Sequence, residues 1–305
     1  MRKCFFVCAI LLLSSNAVFP QGGDAGMQIL ELGYSARSLS LASSNDALTN
    51  EPTAIFTNPA GLASTENERG IGLDFMLTHR TYFAGTTIDM FGSRFEGGGL
   101  SFGTSILYSR VPDIPVREVA GDAESTFDAG DFAFAFGMAH HFGSFDVGVS
   151  ALYLYEKLFV YQSTGYAFNL GMDYYLDENF KLGLSAGNLG SSSAMISDRI
   201  ALPEFVRVGG SYSRTIDDNF SLVGYLDLST FKSGGITPSV GADLNYQKFL
   251  DLRAGYASGT SVADLSTGFS FGAGVSYSFL RLDYSYIPLK LDFGNSQTFT
   301  LSFAL

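Results

Sequence analysis

Tryptophan is absent from the 305 residues, and only 3 histidines and 2 cysteines occur. The histidines, His79, His140 and His141, are too few and too scattered to supply a nucleophile with its base, so no catalytic residue is assigned and an enzyme is not expected. Basic residues are scarce as well: 18 Lys and Arg stand against 30 Asp and Glu, a formal charge of −12. A surface that acidic repels nucleic acid, and most of its carboxylates read as solvated loops and turns. The acidic group Asp122, Glu124, Asp128 and Asp131 lacks the spacing of a calcium loop, and Gly97-Gly98-Gly99 with Gly103 lacks the dinucleotide spacing. Neither a metal nor another cofactor is therefore expected. Beyond the N-terminus no stretch approaches the roughly 18 to 20 uninterrupted apolar residues of a membrane-spanning helix.

What is present begins with Arg2 and Lys3, an apolar run from Phe5 to Leu13, and the small or polar Ser14, Ser15, Asn16 and Ala17. A basic start, a short apolar core and small residues describe a secretory signal peptide, assigned to residues 1–21 with cleavage between Ala17 and Gly23. Both cysteines, Cys4 and Cys8, lie inside it, so the mature chain has no thiol chemistry. Phe5-Phe6-Val7 lacks the small residues that precede a lipidated cysteine, which disfavours a lipid anchor at Cys8. Losing Arg2 and Lys3 takes the formal charge from 18 − 30 = −12 to 16 − 30 = −14.

The dominant pattern is a period of two. Phe269, Phe271, Ala273, Val275, Tyr277 and Phe279 share one parity, and Ser270, Gly272, Gly274, Ser276 and Ser278 the other. The split recurs at Phe132, Phe134, Phe136 and Met138, and again at Phe299, Leu301, Phe303 and Leu305. The non-aromatic face is mainly Gly, Ser, Ala and Asn, which suits the crowded inside of a closed barrel better than open solvent. Such runs are expected near 70–78, 80–91, 97–110, 127–141, 144–157, 164–176, 179–189, 204–215, 219–229, 237–247, 249–258, 267–279, 281–287 and 297–305. The fold class expected is all-β: a transmembrane antiparallel β-barrel of about fourteen strands over residues 69–305, even-numbered as bacterial single-chain barrels are.

Connections support that count. Short ones are expected at Ser93-Arg94-Phe95-Glu96, Phe142-Gly143, Asp177-Glu178, Asp217-Asp218, Gln247-Lys248 and Phe279-Leu280. Longer ones are expected at 111–126, 158–163, 190–203, 230–236, 259–266 and 288–296, with a tight turn at His79-Arg80 as the exception. Alternating short and long connections orient the barrel, with the short turns and both chain ends in the periplasm. The glycine run at 97–99 reads as a turn, with a kink that opens the wall as the alternative.

Residues 22–68 fall outside the pattern and are expected to form an N-terminal periplasmic plug. Asn50 is a candidate helix N-cap, with Pro52 in the first turn. Pro59 ends that helix and forces Asn58 extended, and Gly61 permits a backbone closed to other residues. Set just before the first strand, the turn Asn58-Pro59-Ala60-Gly61 resembles the hatch of the FadL family of outer-membrane transporters for hydrophobic compounds. The stretch from Gly33 to Ala63, with Arg37 in it, more closely resembles the PorV/PorQ branch and the related FadL-like proteins of spirochaetes. The chain departs from that branch at Ala42-Ser43-Ser44, where a Gly-Gly pair is usual, at Thr57, where an aromatic is frequent, and at Leu305, where such barrels end in Phe. Its external loops are also short for the helical elements over which FadL proteins capture fatty acids.

By parity Asp146, Glu156, Asn169, Asp173, Arg207, Asp227, Asp243, Arg253 and Asp283 face inward, as do Leu107, Leu152 and Leu154. An ion pair between Asp243 and Arg253 on neighbouring strands is expected, and these two with Asp283 are the candidate polar residues of the lumen, serving as a polar conduit, as a ring that anchors the plug through Arg37, or as plain filling of the lumen. Ile55 and Phe56 are the plug's candidate ligand contacts. The resemblance implies a monomer in outer-membrane lipid that transports or channels hydrophobic molecules such as long-chain fatty acids. The alternative is a PorV-like protein that docks exported proteins or a secretion machine without transporting anything.

Overall fold

The computed structural model describes residues 26–63, 71–117, 121–195, 199–232, 235–259 and 268–305. The expected signal peptide, 1–21, and the two edges of the expected plug, 22–25 and 64–68, lie outside the described residues.

Alternating residues build 14 antiparallel strands that close into one barrel, each paired with its sequence neighbours and the last with the first. They are β1 (Ile71–Thr81), β2 (Thr87–Gly97), β3 (Leu100–Val116), β4 (Ser125–Phe142), β5 (Phe145–Leu158), β6 (Tyr161–Tyr175) and β7 (Phe180–Ser192). β8 (Phe205–Thr215), β9 (Phe220–Phe231), β10 (Ile236–Tyr246), β11 (Leu250–Ala257), β12 (Gly268–Tyr277), β13 (Leu280–Pro288) and β14 (Asn295–Ala304) complete the wall. Closure leaves no edge strand, so every strand finds its ladder partners within the barrel.

The two faces separate as the alternation requires. On β12, Phe269 and Tyr277 are 61% and 77% exposed on the outer side, whereas Ser270 is buried on the inner side. Outward apolar side chains continue around the wall through Phe91, Phe136, Val149, Phe168, Val208, Leu226, Val240, Leu252, Leu282 and Phe299. A water-exposed surface does not sustain an apolar belt larger than roughly a few hundred Å². Lipid is the solvent that such a belt matches.

The first two turns differ from the expectation. His79 and Arg80 are inside β1, opposite Asp89 and Ile88, and the chain turns at Tyr82–Thr86 instead. Ser93, Arg94, Phe95 and Glu96 are inside β2, and the turn is Gly98-Gly99, whose φ values of 64° and 77° favour glycine. The glycine run is thus a hairpin turn. The connection after β5, expected to be long, is only Phe159-Val160.

The wall is uneven in height. β3 and β4 have 17 and 18 residues, whereas β11 and β13 have 8 and 9. The pairing of β2 with β3 stops at Thr87 and Arg110, so the rest of β3 rises beyond its neighbour at the long-loop end. β4, β5 and β6 rise on the same side.

Candidate functional site: the occupied lumen

Residues 26–63 fold into short pieces packed against the inward face of the wall. They comprise 3-10 helices at Gln28–Glu31, Asp46–Leu48 and Pro59–Ala63, helix α1 (Ala36–Ser40) and helix α2 (Ala54–Thr57). Ser35 caps α1, its Oγ accepting from the Ser38 amide at 3.1 Å. Asn50 caps nothing, contrary to expectation: α2 starts later, after Thr53, and Asn50 accepts a hydrogen bond from Arg37 at 3.0 Å.

The Asn58-Pro59-Ala60-Gly61 turn has a role for each residue. Asn58 is extended, as a residue before proline must be, and fully buried. Its Nδ2 donates to the Ala47 carbonyl and to the Asp173 carboxylate of β6, both at 2.6 Å, and its Oδ1 accepts from the Ala60 amide at 3.2 Å. Asp173 in turn pairs with Lys181 of β7 at 2.8 Å. Pro59 opens the 3-10 helix rather than merely ending α2. Gly61 is needed for space and not for an unusual φ, because a Cβ there would overlap the Thr49 carbonyl.

The wall is cut back to receive this segment. Directly paired glycines, Gly103 with Gly137, Gly148 with Gly171, Gly183 with Gly209 and Gly241 with Gly255, lie at similar height on eight strands. A Cβ at Gly148 would overlap the Pro59 carbonyl, and one at Gly171 would overlap the Asn58 side chain. Between the glycines, wall side chains satisfy the segment's backbone. Ser150 and Asn169 donate to the Ile55 carbonyl at 2.7 and 3.0 Å, Arg94 to the Asn50 carbonyl at 2.9 Å, and Ser270 to the Ser40 carbonyl at 3.0 Å. Thr300 accepts from the Ala36 amide at 2.9 Å.

On the β2–β6 side the contact is apolar. Ile55 and Phe56, the candidate ligand contacts, are fully buried in a cluster with Met27, Leu30, Ile88, Met90, Leu107, Leu152 and Leu154. They meet the wall and not an open lumen. The Tyr34 ring lies tilted against Phe56, centroids 4.9 Å apart, and its hydroxyl donates to the Leu30 carbonyl at 2.6 Å. Burial pushes its phenol above the ordinary value, which keeps it a neutral donor.

On the other side the wall itself carries an ionic network. Arg253 Nε and Nη1 reach Asp243 at 2.9 Å and Asp283 at 2.7 Å, and Arg281 links Asp283 at 2.8 Å to Asp251 at 2.9 Å. Arg37 stands at the edge of this network, 3.8 Å from Asp243 and 3.7 Å from Glu51, and donates to the Tyr225 hydroxyl at 3.4 Å. A second junction joins Arg207 of β8 to Asp46 of the segment at 2.5 Å, and Ser38 also donates to Asp46.

The sequence did not point to Asp46, Asp74 or Arg94 as site residues. Arg94 Nε donates to Asp74 at 2.6 Å across the β1–β2 pair, a contact hidden by the misplaced first turns. His140 faces out against Phe142, and His141 faces in, 2.6 Å from Asp146. Two cavities of about 420 and 240 Å³ lie at the short-turn end, and both are bounded by Arg37 and Asn50.

No family model matches the sequence, and no curated protein matches it. Among solved structures the fold is similar to that of the Ralstonia pickettii toluene transporter TbuX, with a TM-score of 0.56 and 14% identity over 89% of this chain and 97% of that one. It is also similar to the monoaromatic hydrocarbon channel CymD, with a TM-score of 0.60 and 14% identity over 89% of this chain and 96% of the other. The Pseudomonas putida toluene transporter TodX gives a TM-score of 0.54 at 14% identity, over 89% of this chain and 96% of its own. At that identity the likeness is one of fold, a closed barrel of fourteen strands.

Proposed function

We propose that this protein spans the outer membrane as a transporter or channel for hydrophobic small molecules, with residues 22–68 as its plug. The observation that carries the proposal is a closed barrel, apolar outside, whose lumen is occupied by a segment of its own chain seated on a cut-back wall. A barrel that served only as a membrane anchor would need no such fitted occupant. The tall β3–β6 side adds an external apolar surface, with Leu158, Phe159 and Tyr161 exposed above the mouth. Hydrophobic molecules land there, pass into the lumen beside the segment, and leave when it shifts.

The toluene and monoaromatic hydrocarbon activities named for the structural neighbours support the substrate class. The FadL-like assignment, its PorV/PorQ branch and long-chain fatty acids as cargo belong to the same proposal, supported by the Asn58–Gly61 turn. Purified protein in liposomes is expected to speed the entry of a fluorescent hydrophobic probe, and a Gly148→Val variant, which unseats Pro59, to raise ion conductance as well. Failure to bind or pass any hydrophobic probe, together with co-purification of exported proteins, would instead establish the docking role.

A further inference from the structure

The larger of the two cavities, about 420 Å³, lies in the seam between the N-terminal segment and the wall at the short-turn end. The segment supplies Arg37 and Leu48 to it, and the wall supplies His141, Tyr175, Lys181 and Tyr225. Gly143 and Ser144, the turn between β4 and β5, form its exposed rim, so it is open at that end. Its size falls within the roughly 300 to 1,000 Å³ of small-molecule sites.

The lining is cationic in a chain that is not. Among the described residues around the cavity there is no Asp or Glu, although the chain has 30 acidic residues against 18 basic ones. Two carboxylates that touch the lining residues from behind, Asp146 and Asp173, are fully buried and already engaged. Asp146 accepts from Tyr175 at 2.7 Å and lies 2.6 Å from His141. Asp173 holds Lys181 at 2.8 Å and Asn58 at 2.6 Å. An ammonium has three donors, of which Asp173 engages one. The ion pairs of Arg37 with Glu51 and Asp243 are long, 3.7 and 3.8 Å, so a carboxylate at hydrogen-bond distance would be its closer anionic partner. Tyr225 accepts from Arg37 at 3.4 Å, and its own proton has no acceptor among the described residues.

Resting on the transporter reading, we propose that this cavity binds the carboxylate of an amphiphilic cargo, receiving it at the short-turn end before release. The head group takes hydrogen bonds from Arg37, Lys181 and Tyr225, and the alkyl chain lies along Leu48 and Val223. Hydrogen bonds from two cations to a carboxylate are about twice as strong as neutral ones, and a partly buried setting strengthens them. An ester of the same length keeps the apolar contact and loses the ionic one. Lys181 also ties the site to the Asn58 turn, because Asp173 binds both.

The absence of tryptophan makes the test local: Ser144→Trp puts the protein's single tryptophan on the exposed rim. The full-length protein in nonionic detergent at pH 8 is titrated with 2-bromodecanoate, whose quenching bromine sits beside the carboxylate, and with its uncharged methyl ester. Saturable quenching by the acid is expected, at a concentration about tenfold lower than for the ester. Arg37→Gln in the same background is expected to raise the acid's half-saturation about tenfold and to leave the ester's unchanged. Val223→Phe, which fills the cavity without touching a charge, is expected to abolish saturable quenching by both. Quenching that does not saturate, or a half-saturation that Arg37→Gln leaves unchanged, overturns the site, and the transporter reading stands if a hydrophobic probe still enters liposomes. If that probe does not enter although the acid quenches, the transporter reading falls and the release role with it.

Discussion

The two sides of the lumen present different surfaces to the same segment. Toward β2–β6, Phe56, Ile55 and Leu30 pack against Leu107, Leu152 and Leu154, whereas toward β10–β13 Asp243, Arg253, Asp283, Arg281 and Asp251 pair with one another within the wall and Arg37 of the segment stands at their edge, 3.8 Å from Asp243. Apolar packing loses stability in proportion to the volume removed. A buried ionic network fails abruptly, because removing one member strands the charges it had neutralised. The segment is thus seated by packing on one side and borders a charged network of the wall on the other.

Arg253→Ala should have the largest effect, since it leaves Asp243 and Asp283 without their shared cation. The expected loss is about 4 kcal/mol in detergent unfolding, and converting both carboxylates to amides in that background should restore much of it. Phe56→Ala opens a cavity on the apolar side and is expected to cost about 3 kcal/mol, with Phe56→Leu recovering most of the loss. A cost below about 1 kcal/mol would mean that the apolar seat contributes little. Arg37→Ala is expected to cost less than about 1 kcal/mol, because its carboxylate contacts are long and the side chain is 21% exposed. A loss as large as that of Arg253→Ala would move the anchor from the wall network to α1.

Much of the barrel was legible because alternation is a local signal read repeatedly. The inward residues Asp146, Asn169, Asp173, Arg207, Asp227, Asp243, Arg253 and Asp283 followed from parity, and all are buried. The turns at His79-Arg80 and Ser93–Glu96 were misplaced because charged residues mimic turn composition. Their strand setting is decided by partners that a local pattern does not contain: Asp89 faces His79 at 2.6 Å, and Asp74 faces Arg94. The interior of the N-terminal segment was legible only at Asn58 and Pro59, whose backbone preferences are strong. Asp46, Asn50 and Gly61 owe their roles to distant contacts with Arg207, Arg37 and, for Gly61, the Thr49 carbonyl.

The paired glycines carry one further consequence. Eight strands that present glycine at mid-height widen the bore there, so on the transporter reading an emptied barrel would pass polar solutes along with any hydrophobic cargo. On that reading the occupant would tilt or slide within the glycine girdle, and the size of that slack, rather than the diameter of the barrel, would limit what crosses.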